Sequence, residues 1–485
     1  MPLQSDRQQP GKNPLKLLTS AVLLALFCCT GTGATASARE KQLSLNSFIR
    51  LVAERNTVFE AILLEELPLQ YSRTLDLPAD DLILSVKGGY ALTLDEVDGS
   101  PEYSVALDRL FPATGTRMTA SYRNDYSVSR LRNESEFSIA LVQPVAENAF
   151  GKATLLQEKL TGIENDLARY QIAEAYEDYL ASLIRLYYDW YAASENLRTA
   201  TTAYKDAEKQ LDNILERERN AIALPIDVNK IKVQAVSRKE TMVSLRDDYR
   251  AFTRLVMEAV RDDDGRIPVP VKPESNVRVQ STGLDRQLRS FRGSSRTSSM
   301  LELLEKKADT GVLLQADRLL PSINLTAGYD ISGDDRFFTA SEQGVFAGIT
   351  MEWPLPDKQE AARHEISRIN RTRVSLSNSN TKLSLETALT NLYRSIENQQ
   401  LLIRLANDKI ALSESIVRDE KKNYSLGKTG LNDLIDAVNR LEEHRFSCIS
   451  REIEKQKLIV EWKRLTDTLV REKDILKDSV NTIRY

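Results

Sequence analysis

Histidine and cysteine are nearly missing: the 485-residue chain holds two of the first and three of the second. Two histidines argue against a zinc hydrolase or a histidine-based catalytic centre. Three cysteines exclude a disulfide framework. Long apolar runs are scarce, and a mean hydropathy of −0.37 excludes a polytopic helical membrane protein. No G-x-x-x-x-G-K-[ST], H-E-x-x-H or G-x-S-x-G pattern occurs. The formal charge is −4 with no basic stripe, which points away from nucleic acid.

Glycine and proline are also missing, but only in places. Ile163 to Asp264 has no Gly and one Pro, Pro225, while Asp357 to Leu426 and Leu431 to Tyr485 have neither. Such stretches, rich in Leu, Ala, Glu, Lys and Arg, predict long helices. Leu183, Leu186, Trp190, Ala193, Leu197, Ala200, Tyr204, Ala207, Leu211 and Ile214 step by three and four. Leu385, Leu389, Leu392, Ile396, Gln399, Ile403, Ala406 and Ile410 do the same, with one polar exception. That spacing predicts helices packed as coiled coils, each about 100 Å long, beyond the size of an ordinary globular bundle.

Strand-like alternation lies between the helical stretches, around Leu84–Leu92, Phe137–Leu141, Ile323–Ile331 and Val345–Trp353. The segments have about the length of a transmembrane β-strand; a soluble hairpin with one packed face is the alternative. The order of helix, strands, long helix, turn and long helix occurs twice. Tyr90 and Tyr329 are 329 − 90 = 239 apart, Pro144 and Pro354 are 354 − 144 = 210 apart, and Asp227 and Asp433 are 433 − 227 = 206 apart. These offsets predict an internal duplication. The first copy carries an insert of 239 − 210 = 29 residues, roughly 102–127, whose Met118/Ala120/Tyr122 alternation predicts an extra hairpin. The expected units are residues 39–265, a polar link 266–299, and 300–485.

Ahead of them, Arg7, Lys12 and Lys16 precede the apolar run Leu17–Cys29 and end in Ala36-Ser37-Ala38. This predicts a signal peptide over residues 1–38, with a buried N-terminal helix as the alternative. Cleavage removes three basic groups and Asp6, so the charge becomes −4 − 2 = −6, and leaves Cys448 as the one cysteine.

Three segments carry a family resemblance. Leu43–Asn56 looks like the first helix of the TolC-like outer-membrane efflux proteins, Leu320-Pro321-Ser322-Ile323-Asn324-Leu325 like their helix-to-strand step, and Tyr424–Ala437 like their second periplasmic tip. The resemblance covers essentially the whole mature chain. It implies a homotrimer: a 12-stranded β-barrel in outer-membrane lipid above a periplasmic α-helical barrel, about four strands coming from each chain. It further implies a passive exit duct of a tripartite efflux or type I secretion system, partnered by a periplasmic adaptor (membrane fusion) protein and an inner-membrane pump, with no cofactor, metal or catalysis. Independently of any family, four strands cannot close a barrel, and open edges in lipid leave backbone groups unpaired. The competing reading is a periplasmic coiled-coil adaptor or scaffold without a membrane barrel.

Candidate site residues sit at the two helix turns. Pro225 fits a first helical position and Asp227 a first turn. Asp433 and Asp436, three apart, share a helix face; they and Asp227 could be plain caps and solvated surface. The resemblance assigns Asp433 and Asp436 to a pore-lining acidic ring and Tyr424 to a gate linkage, and Asp227 is expected as a further gate or pore-lining residue. Ala221 stands where the family often has Gly, and Thr429, beside Lys428, where it has a basic residue. Ala221, Ile222, Ala223, Leu224, Pro225, Gly427, Lys428 and Leu431 are expected as adaptor-docking tips. His444 and Cys448 lie four apart on a helix, which chance helical spacing explains better than metal binding, since no other His or Cys is nearby in sequence. Asp262-Asp263-Asp264-Gly265 reads as a helix exit because no Glu follows at calcium-loop spacing.

Overall fold

In a computed structural model the chain is described over residues 41–78, 80–93, 98–127, 132–261, 267–273, 284–333 and 342–470. The expected signal peptide and Asp262–Asp264 lie outside these residues.

Two matched helical hairpins dominate. Helix α4 (Lys152–Arg219) and helix α8 (Lys358–Ser425) are each 68 residues; their partners α5 (Pro225–Val260) and α9 (Leu431–Leu465) have 36 and 35. Both starts are offset equally, 358 − 152 = 206 and 431 − 225 = 206. The repeat spacing read from sequence therefore recurs in the starts of the helices. Of the apolar positions stepping by three and four, Leu183, Trp190, Ala193, Ala200, Ala207, Ile214, Leu389, Ile396 and Ala406 are buried. Among the described residues no helix is long and apolar enough to cross a membrane.

Six strands form one antiparallel sheet: β2 (Leu82–Thr93), β3 (Asp98–Phe111), β4 (Thr116–Ser127), β5 (Arg132–Pro144), β7 (Ser322–Gly333) and β8 (Glu342–Glu352), in that order. Strands β2, β5, β7 and β8 are the four expected from alternation, and the insert supplies β3 and β4. The register aligns side chains into rows across the sheet. Leu84, Leu107, Ala120, Ile139, Tyr329 and Val345 form one, and Lys87, Ser104, Arg123, Glu136, Ser332 and Glu342 form a row on the opposite face. The apolar face is the more exposed: Leu84 is 62% and Val345 84% accessible. A soluble sheet has the reverse arrangement, because transferring apolar area out of water is what holds it to its core.

The expected polar link 266–299 carries structure of its own. Strand β6 (Pro268–Pro270) pairs in parallel with β1 (Lys41–Leu43), and helix α6 (Leu284–Ser294) follows before α7 (Arg296–Arg318). Phe291 of α6 packs with Leu389, Ile396, Ile459 and Trp462 of α8 and α9. Arg292 adds a two-pronged ion pair to Glu386, with nitrogen–oxygen distances of 2.6 and 2.8 Å. The short helices α1 (Leu45–Arg55) and α2 (Thr57–Leu64) cover the middle of α4, where Phe48, Val52, Tyr187 and Trp190 are fully enclosed. The Tyr187 hydroxyl lies 2.8 Å from the carbonyl oxygens of both Leu43 and Val271, so the β1–β6 pair is strapped to α4. Burial pushes that phenol up to about 12. Between α2 and β2 lies helix α3 (Leu69–Asp76).

Candidate functional site at the helix tips

Both long helices end the same way. In the first, Ile222 N–H bonds the Arg217 carbonyl at 2.8 Å and Ala221 N–H the Glu218 carbonyl at 2.9 Å; in the second, Lys428 N–H bonds Asn423 at 2.9 Å and Gly427 N–H bonds Tyr424 at 3.1 Å. These are paired Schellman stops, which need a left-handed residue after the helix. Gly427 supplies it at φ +69° and Ala221, 427 − 221 = 206 residues earlier, at φ +50°. The second tip uses the residue suited to that backbone, and the first forces an alanine into it.

Each tip then restarts as a helix. Pro225 occupies the first turn of α5 beside Asp227, whose carboxylate sits at the positive helix end. In α9, Asp433 accepts a hydrogen bond from Gly430 N–H at 3.1 Å. Asp433 and Asp436 are both exposed and share a face, whereas Leu431, Leu434 and Ala437 on the other face are buried. Asp433 thus caps its own helix while remaining open to solvent.

An apolar cluster joins the two tips. Ile214, Val228, Ile231 and Leu431 are its buried members, with Ala223, Tyr424 and Ile435 against them. This corrects one expectation: Leu431 is not an exposed docking residue but is only 6% accessible, because it is the side chain that seats α9 against α4 and α5. Ala223 is half-buried in the same cluster. Ala221, Ile222, Leu224, Pro225, Gly427 and Lys428 stay exposed, Ile222 and Leu224 at 65% each.

Tyr424 is half-buried, and the Arg217 guanidinium lies 4.8 Å from its ring centre. Burial raises the Tyr424 phenol and nearby Asp227 raises it further, against the opposing pull of Arg217. The structure therefore brings Tyr424, Asp227 and the apolar tip residues together, with Asp433 and Asp436 on the adjoining helix. Arg217 was not among the candidates. The 206-residue offset could have found it, since it maps Tyr424 onto Glu218, Arg217's neighbour.

Among the described residues no three His, Cys, Asp or Glu side chains are placed to hold a metal ion. The Cys448 thiol lies 3.4 Å from the Asn407 amide oxygen, and burial raises it.

No protein-family model matches the chain, and no curated protein matches it by sequence. Solved structures do match in shape. CusC, in crystal structures concerned with folding and transmembrane channel formation, superposes with a TM-score of 0.69 at 11% identity, covering 87% of this chain and 91% of that one. The Campylobacter jejuni CmeC outer-membrane channel gives 0.65 at 13% identity over 91% and 90%. The open state of the Neisseria gonorrhoeae MtrE outer-membrane channel gives 0.63 at 14% over 88% and 90%. The chain has the TolC-like fold.

Proposed function

We propose that the protein is an outer-membrane channel: a passive exit duct of a tripartite efflux or secretion assembly, built from three copies. The observation that carries the reading is the six-stranded sheet, apolar on its exposed face and polar on the other, with β2 and β8 unpaired at its edges. A sheet of that kind satisfies its backbone only by joining others into a closed barrel with lipid outside and water inside. The helices support the same assembly. Ile369, Leu376 and Leu383 stand seven apart and exposed on α8, and Val236 and Val243 do likewise on α5. Heptad stripes left open in one chain are suited to helices of its neighbours. The number three and the adaptor and pump partners are what the sequence resemblance implies, and the outer-membrane-channel folds of the similar structures support that reading.

In this reading the helix tips face the periplasm and meet the adaptor through Ile222, Leu224, Pro225, Gly427 and Lys428. Three copies of Asp433 and Asp436 ring the axis and draw cations to the mouth. Tyr424 and Arg217 hold the second tip against the first in the closed state. Opening separates them, and the inner-membrane pump supplies the energy.

Fractionation tests the assignment. The protein is expected in outer membranes as an oligomer that dissociates only on heating in detergent. A soluble periplasmic monomer would instead identify the scaffold alternative.

A further inference from the structure

Among the described residues the hairpin β3–β4 has no counterpart in the second half of the chain. Strands β2 and β5 correspond to β7 and β8, and only the eight positions 334–341 separate the latter two. The hairpin continues the sheet's pattern without a break. Val105 and Ala120 fall on the apolar face, Ser104 and Ser121 on the polar one. Its strands have 14 and 12 residues, against 11 to 13 for the other four. A transmembrane strand needs about 9–11.

Its turn is anchored at the helical end of the sheet. Gln143 Nε2 donates to the Thr114 carbonyl at 2.9 Å, and Thr116 Oγ1 donates to Gln143 Oε1 at 2.6 Å. The turn backbone also presses on Gly151, the cap of α4: a β-carbon there would stand 2.7 Å from the Pro112 carbonyl oxygen. A flap lying outside the barrel would need neither the two-faced alternation nor this fit.

We propose that β3 and β4 are wall strands, so that the assembly closes as an 18-stranded barrel rather than the 12-stranded one the fold would otherwise give. This rests on the channel reading above. Five antiparallel steps separate β2 from β8, so the two edges run in opposite directions. Edge β8 of one copy can therefore pair with β2 of a second copy and keep the alternation, and three sixes close the ring. Barrel diameter grows roughly in proportion to strand number, so the lumen is about 1.5 times wider than twelve strands allow. Barrels of 16–18 strands hold an open aqueous channel. The outer-membrane stage then passes bulky, hydrated cargo, and selection by size falls to the helical tips.

The test is electron cryo-microscopy of the full-length oligomer in lipid nanodiscs, with cysteine labelling as a second readout. Eighteen strands in the ring are expected. In a Cys448→Ser background, Ser104→Cys and Ser121→Cys should react with a water-soluble maleimide about tenfold faster than Val105→Cys and Ala120→Cys, which face lipid. A ring of twelve strands, or equal labelling of both pairs, overturns the wider barrel while leaving the channel reading intact. Absence of any membrane-inserted ring overturns both.

Discussion

The guanidinium of Arg217 stacks 4.8 Å from the ring centre of Tyr424, joining the last turn of α4 to the last turn of α8. The two residues come from opposite halves of the duplication, so their contact holds the two hairpin tips together. A cation–π contact at a partly exposed site contributes about 0.5–1 kcal/mol, and three copies act at one opening. In the proposed gate, Arg217→Ala and Tyr424→Ala each raise the resting single-channel conductance. The double variant should exceed neither by much, because both remove one contact. Fully additive effects would show that the residues act separately.

The acidic pair governs ion preference. Asp433→Ala/Asp436→Ala should lower cation selectivity and abolish block by a trivalent cation added on the periplasmic side, with the oligomer intact because neither side chain packs into the apolar cluster. The Asp433 cap contributes on the order of 1 kcal/mol, so a small loss of thermal stability is expected beside the change in selectivity. Unchanged block and selectivity would make both residues ordinary surface charges.

The strained first tip offers a gain. Ala221 holds φ +50° in the position where Gly427 serves the second tip. Left-handed backbone costs a residue with a β-carbon about 1–2 kcal/mol, and Ala221→Gly relieves part of that. Unfolding of the isolated oligomer by denaturant should shift to higher concentration. The reciprocal change, Gly427→Ala, should shift it lower. Equal effects of either sign would contradict the strain argument.

A buried charge cluster ties the middle of the helices to the chain after α9. Arg296, 6% accessible, pairs with Glu174 at 3.2 Å, Asp467 at 3.0 Å and Glu177, which also accepts from Leu469 N–H at 3.0 Å. Arg296→Ala leaves three carboxylates without their cation and should cost about 3–5 kcal/mol. Burial raises the Glu174 carboxyl, with Arg296 opposing. A carboxyl raised on folding lends stability when protonated and loses it as pH rises through its folded value. Glu174→Gln should therefore cost least near neutrality, and its deficit relative to the wild type should grow as pH falls toward the carboxylate range. Thermal unfolding followed from about pH 4, near the ordinary carboxyl values, up to about pH 8 reads this directly. A deficit that instead widens with rising pH would contradict it.

The long helices were legible because Gly and Pro are nearly absent from them, Gly162 in α4 and Pro225 at the start of α5 excepted, and apolar residues step by three and four over many turns. The duplication was legible too, and the 206-residue offset between Asp227 and Asp433 is the offset of the helices themselves. Other features were less visible. Strand β6 and α6 were hidden in a polar segment because each is held by something distant: Tyr187 for the strand, and Glu386 for the helix. Leu431 looked like an exposed turn residue because its burial depends on α4 and α5, over 170 positions earlier (431 − 260 = 171). Arg217 carries no local motif, and its role exists only once the two halves lie side by side.

Conductance in planar bilayers tests the central claim most directly. Purified oligomer added to one side of a lipid bilayer should give discrete current steps of low conductance in the wild type. Arg217→Ala should give steps several-fold larger, because its tips are released. If a folded, membrane-inserted oligomer passed no current in either form, the protein would not be a channel.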